Sequence, residues 1–142
     1  ASGGPVMLEA AAKSLLSYES PPLLIGVTVL TSMNQAQLAA TGIPQTPEQQ
    51  VLELASLCAS SGLHGVVCSA QESRQLRAAQ GEDFVLVTPG IRPDGSVSGD
   101  QQRIMTPLQA KQAGSSYLVI GRPITEAENP LSVIRSIKQS LA

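Results

Sequence analysis

The sequence predicts a parallel α/β fold: an opening helix followed by four βα units, which is half of a (β/α)8 barrel. Three observations carry this. Residues 23–30, Leu-Leu-Ile-Gly-Val-Thr-Val-Leu, form a nearly unbroken apolar run, as a strand buried on both faces of a parallel sheet requires. Residues 84–87 and 117–120 are two further apolar runs with a helical stretch, 106–114, between them, which makes a βαβ unit. The strand ends are polar or glycine-bearing, at Thr31, Ser69, Thr88 and Gly121. In an α/β barrel such positions line the C-terminal face, where active sites sit. A full barrel takes eight strands and about 250 residues, whereas these 142 residues supply four strands.

The elements follow in order. Gly4-Pro5 starts a helix with Pro5 at its first position, and Met7, Leu8, Ala11 and Leu15 recur at helical spacing. Ser20-Pro21-Pro22 ends it, and the strand over 23–30 comes next. Asn34 caps a short helix that stops near Gly42. Thr46-Pro47-Glu48-Gln49 is a capping box with Pro at N1; Val51, Leu54, Ala55 and Cys58 then form one apolar face, and Gly62 ends the helix. Residues 65–68 are a strand. Ser69-Ala70-Gln71-Glu72 reads as another capping box, opening a helix that ends near Gly81. After the strand at 84–87, residues 90–105 are rich in Gly, Pro, Ser and Asp and long for a βα connection, a length that usually marks function or disorder. Thr106-Pro107-Leu108-Gln109 repeats the capping box. After the strand at 117–120, Asn129-Pro130 starts a last helix with Leu131, Ile134, Ile137 and Leu141 on one face.

Composition narrows the function. A net charge of −2 lacks the basic footprint of nucleic-acid binding. With Tyr18, Phe84 and Tyr117 the only aromatics, base-stacking platforms are missing. The apolar runs are too short to span a bilayer, and no secretory signal is read at Ala1-Ser2-Gly3-Gly4. A charged content of 14% is low enough to suggest that much of the surface is covered by something else. Cys58 and Cys68 match no metal spacing and read as buried free thiols. The single histidine, His64, lies at a helix-to-strand turn away from the strand ends, so it reads as a surface imidazole rather than a general base.

Two turns carry the chemistry. Thr88-Pro89-Gly90-Ile91-Arg92-Pro93 and Gly121-Arg122-Pro123-Ile124-Thr125 each combine glycine with one arginine. Glycine-freed amides and a planar guanidinium suit a phosphate, and connections after the last barrel strands are frequent phosphate sites. Arg122, Gly121 and Arg92 are therefore candidate phosphate ligands.

Five segments together resemble one family. They are residues 23–33, Leu-Leu-Ile-Gly-Val-Thr-Val-Leu-Thr-Ser-Met; 65–72, Gly-Val-Val-Cys-Ser-Ala-Gln-Glu; 86–93, Leu-Val-Thr-Pro-Gly-Ile-Arg-Pro; 100–107, Asp-Gln-Gln-Arg-Ile-Met-Thr-Pro; and 117–125, Tyr-Leu-Val-Ile-Gly-Arg-Pro-Ile-Thr. Their order and wording are similar to orotidine 5′-phosphate decarboxylase of the bacterial type, and the resemblance runs the length of the chain. It implies a (β/α)8 enzyme that converts orotidine monophosphate (OMP) to UMP in pyrimidine biosynthesis. It also implies a cytoplasmic homodimer with neither metal nor organic cofactor. Residues 1–142 would be the C-terminal half of its single barrel domain, strands five to eight, with the N-terminal half as partner.

The resemblance assigns substrate-binding roles to Thr31, Arg92, Gln101, Gly121 and Arg122. Thr31 would read the amide edge of the pyrimidine, and Gln101 would reach over the nucleotide to its phosphate from a lid. Ser32 and Pro89 are candidate pocket-lining residues. Gln102 departs from relatives, where a second basic residue often follows the glutamine. The family's reacting Asp-x-Lys-x-x-Asp pattern is missing: Lys13, Lys111 and Lys138 have no such neighbours. No catalytic residue is therefore expected in this chain. The competing readings are a non-catalytic half-barrel that binds a phosphorylated ligand, and another sugar-phosphate lyase or decarboxylase on the same scaffold.

Overall fold

The computed structural model describes residues 1–93 and 103–142. Helix α1 (Pro5–Ser14) leads into β1 (Ile25–Val27), α2 (Gln35–Ala40) and α3 (Pro47–Ser60). Then come β2 (Gly65–Val67), α4 (Ser73–Gln80), β3 (Val85–Thr88), α5 (Pro107–Gln112) and β4 (Tyr117–Leu118). The short α6 (Arg122–Thr125) and α7 (Pro130–Ser140) close the chain. The strands form one parallel sheet in the order β1-β2-β3-β4. Each strand pairs with its successor in sequence, so the sheet has no switch point of the kind that divides doubly wound folds.

The helices start where local chemistry predicts. Asn34, Thr46 and Thr106 side chains each accept a hydrogen bond from the amide three residues on, while Gln37, Gln49 and Gln109 side chains accept one from the cap N–H. Such boxes satisfy two orphan donors within one turn, and they need no tertiary partner.

Among the described residues the sheet is covered on one face only. In register, Gly26, Val66 and Leu86 share one face, as do Thr28, Cys68, Thr88 and Leu118. Against it pack Val51, Leu54, Ala55 and Cys58 of α3 and Leu76 of α4, forming the core. A Cβ at Gly26 would run into Cys58 Sγ, so α3 lies close over β1. The opposite face carries Val27, Val67, Val87 and Tyr117. There Val27 is 45% exposed, Tyr117 57% and Val119 48%.

Two strands are shorter than the sequence suggests. The apolar run at 23–30 contributes only Ile25–Val27 to the ladder, and the run at 117–120 only Tyr117–Leu118. Both are edge strands, each hydrogen-bonded on one side, and β1 is open on one face rather than buried on both. Apolar content alone does not extend a ladder that has one neighbour. A third difference lies at Ser69. Its hydroxyl accepts from Gln71 N–H, but a 3-10 turn follows and the helix begins only at Ser73, because the Glu72 side chain is engaged elsewhere.

Arg77 ties down the opposite edge of the sheet. Nε donates to Gly114 O at 2.9 Å, Nη1 to Gly81 O and Glu82 O at 3.0 Å each, and Nη2 to Ser116 Oγ at 2.7 Å. His64 is exposed, as expected, and its Nδ1 accepts from Leu24 N–H at 2.9 Å, holding the approach to β1.

Both cysteines are free and buried. Burial pushes the Cys68 thiol up to about 12, with Arg103 and Arg77 opposing. A raised folded value means stability that is complete below the ordinary thiol range and is lost as pH climbs towards 12. Over about three pH units this amounts to roughly 4 kcal/mol. In any folded form, alone or assembled, the urea midpoint should fall from pH 9 to 12, and Cys68→Ala should flatten that slope. Identical slopes would assign the effect to other groups.

Candidate functional site

Because all four strands are parallel, their C-terminal ends meet along one edge. Four connections leave it: residues 28–34 after β1, 68–72 after β2, 89–106 after β3 and 119–121 after β4. The backbone ladder runs slightly past the strands here. Thr28 N–H and its hydroxyl both donate to Val67 O, Cys68 N–H to Val87 O, and Val119 N–H to Thr88 O. The ends are therefore held at a common height.

A cavity of about 150 Å³ opens at this edge, lined by Val27, Val29, Leu30, Thr31, Ser32, Val67, Cys68 and Pro89. It brings together Thr31, Ser32 and Pro89, three residues singled out from sequence. Thr31 is buried at 6% exposure and sits in a turn closed by Met33 N–H donating to Leu30 O at 2.9 Å.

Gly121 and Arg122 stand after β4, and both are exposed. The sequence suggested a plain loop for 121–125; the chain instead forms α6, with Gly121 O accepting from Ile124 and Thr125 N–H. Pro123 within the first turn has no amide to lose there. A Cβ added at Gly121 would meet nothing within 4 Å, so the space above this glycine is open.

Arg92 is differently placed from Arg122. It is buried at 8% exposure, and Nη1 donates to Ile91 O at 2.9 Å. Its backbone is laced to the returning connection: Arg92 N–H donates to Met105 O, Met105 N–H donates to Gly90 O, and Ile91 bridges Met105. Gln101 lies outside the described residues.

Sequence reasoning missed Arg103 and Glu72. Both are buried, and Arg103 Nη1 forms an ion pair with Glu72 Oε1. Nη2 donates to Val29 O and Leu30 O at 3.2 Å each. Among the described residues Glu72 Oε2 and Arg103 Nε find no hydrogen-bond partner. Burial pulls the Arg103 guanidinium below its ordinary value. Removing one partner of such a pair costs about 3–5 kcal/mol. The signal available in sequence was slight: Arg103 precedes Ile104 and Met105, the apolar pair that ends a polar connection.

Lys13, Lys111 and Lys138 lie on α1, α5 and α7, and Lys111 donates to the Leu141 carbonyl. Among the described residues, no group of three or more His, Cys, Asp or Glu is placed to hold a metal, and no helix is long and apolar enough to cross a membrane.

Comparison with known proteins adds sequence to geometry. Residues 1–137 match the family described as Orotidine 5'-phosphate decarboxylase / HUMPS. The chain is 60% identical to the orotidine 5'-phosphate decarboxylase of Vibrio campbellii, over 100% of this chain and 61% of that protein. It is 59% identical to that of Neisseria meningitidis serogroup C, over 98% of this chain and 57% of the relative. The crystal structure of orotidine 5'-phosphate decarboxylase from Lactobacillus acidophilus superposes with a TM-score of 0.80 at 38% identity, covering 98% of this chain and 59% of that one. The chain thus spans about three-fifths of the length of these relatives.

Proposed function

The chain belongs to the orotidine 5'-phosphate decarboxylase / HUMPS family, and from that premise we propose that it forms the nucleotide-gripping C-terminal half of an enzyme that decarboxylates OMP to UMP. The observation that carries this reading is the gathering of Thr31, Ser32 and Pro89 around one cavity on the sheet edge that also bears Gly121 and Arg122. In this reading Thr31 meets the amide edge of the pyrimidine, with Ser32 beside it. The Arg122 guanidinium and the Gly121 and Arg122 amides take the phosphate, with Arg92 as the second cation. Phosphate and base are remote from the bond that breaks. Their binding energy serves orientation and transition-state stabilisation at the reacting carbon.

Residues 1–142 then constitute strands five to eight of one (β/α)8 domain. The sequential parallel strand order supports this, as does the apolar open face, since inward-facing side chains fill a barrel in layers. The N-terminal half supplies the remaining strands and the acid–base set, and the assembled enzyme works as a homodimer. Because the three lysines lie on helices, the chain by itself acts only as a phosphate-ligand-binding half-barrel.

The test is a UMP titration of Gly121→Ala beside the parent. Beyond its chain neighbours the added methyl meets no protein atom within 4 Å, and the folded midpoint of the variant is measured beside its affinity. The methyl would crowd a phosphate lying on this turn, and UMP binding should weaken about tenfold, as one lost charge-assisted hydrogen bond implies. Unchanged affinity would move the phosphate elsewhere.

A further inference from the structure

The structure assigns a positioning role to the buried Glu72–Arg103 pair: it holds the base-facing turn at residues 29–32 in place, and so sets discrimination for the base rather than for the phosphate. This inference rests on the nucleotide reading above.

Three observations lead to it. First, β1 ends at Val27 and its ladder bonding reaches only Thr28, so buried Val29 lies beyond the strand with a carbonyl that needs a donor. Arg103 Nη2 donates to it and to Leu30 O, which also accepts from Met33 N–H, at 3.2 Å each. Second, Val29 and Leu30 line the cavity directly before Thr31 and Ser32. A shift of the two carbonyls therefore moves the hydroxyls that follow them. Third, Arg103 is itself fixed from the β2 side. Glu72 takes Nη1, Ser69 Oγ donates to Arg103 O at 3.4 Å, and Gln71 Nε2 donates to Ile104 O at 3.3 Å. One guanidinium thus joins the connections after β1, β2 and β3. A planar fork can serve a carboxylate and two carbonyls together, whereas a lysine ammonium is a point charge on a flexible stem. The phosphate turn has hydrogen bonds of its own within α6, Gly121 O accepting from Ile124 and Thr125 N–H.

The experiment compares Arg103→Lys with the parent in the assembled enzyme, using two competitive ligands. UMP carries base and phosphate; ribose 5-phosphate carries the phosphate alone. Arg103→Lys should bind UMP about tenfold more weakly while ribose 5-phosphate stays within about twofold. Adding Thr31→Ala to Arg103→Lys should then cost less than Thr31→Ala costs in the parent, because the two act through one turn. If Arg103→Lys does not fold, Glu72→Gln is read by the same ratio, since it keeps the side-chain shape and the Oε1 acceptor while removing the charge. Equal weakening of both ligands would show a general scaffold role and overturn the assignment, as would unchanged UMP affinity. A parent that binds neither ligand would overturn the nucleotide reading itself, a result distinct from either of these.

Discussion

Arg122→Ala is expected to weaken UMP binding between about tenfold and a hundredfold, the range for losing one or two charge-assisted hydrogen bonds to phosphate. Arg122 is exposed and opens α6, whose own hydrogen bonds run through Gly121 O. Truncating the side chain leaves that backbone intact, so the loss should appear in affinity. Arg92→Ala should cost less affinity and more stability. Arg92 is buried and its Nη1 already holds the Ile91 carbonyl, so its removal also leaves a buried acceptor unpaired. Calorimetric titration with UMP and with uridine separates the two. For Arg122→Ala the deficit should vanish with uridine, which has no phosphate to lose. If Arg122→Ala binds UMP as tightly as the parent, the clamp is misassigned.

The second large effect concerns the chain as a whole. The 142 residues alone should show no decarboxylase activity, and mixing with the N-terminal portion of the enzyme should restore it. None of Lys13, Lys111 and Lys138 carries the Asp-x-Lys-x-x-Asp pattern, and all three lie on helices. The structural half of the expectation is self-association of the isolated chain. β1 and β4 are both edge strands of the sheet. Val27, Leu30, Tyr117 and Val119 are exposed along them at 45%, 57%, 57% and 48%. Unpaired edges bearing apolar side chains invite pairing with another chain. Analytical ultracentrifugation with a decarboxylation assay, before and after mixing, reads both halves. A soluble monomer that unfolds cooperatively would sink the structural claim, and activity in that monomer would sink the catalytic one.

Legibility followed the range of the forces involved. The Asn34, Thr46 and Thr106 helix starts were readable because donor and acceptor lie three residues apart. Ser69-Ala70-Gln71-Glu72 has the same lettering and failed. A buried arginine 31 residues away offered Glu72 a charged partner in place of the cap amide, and a desolvated carboxylate cannot forgo one. The run at 23–30 does supply a strand, but it lies at one end of the sheet, and its length as a strand depended on how many neighbours it has. At the site, Thr31, Ser32 and Pro89 were named from strand-end position and resemblance. That they share one cavity follows from the parallel register.

Local wording was enough for the parallel α/β class, the order of its main elements, the family and the turn at 88–93. These rest on local periodicity, capping chemistry and contiguous wording. Packing between distant segments set that one face of the sheet lies open among the described residues, that Arg92 is buried while Arg122 is exposed, and that Arg103 grips the turn before Thr31. Each of these depends on which backbone and side-chain groups lose water together. Burial of that kind is a property of distant segments brought into contact, and no window of neighbouring residues encodes it.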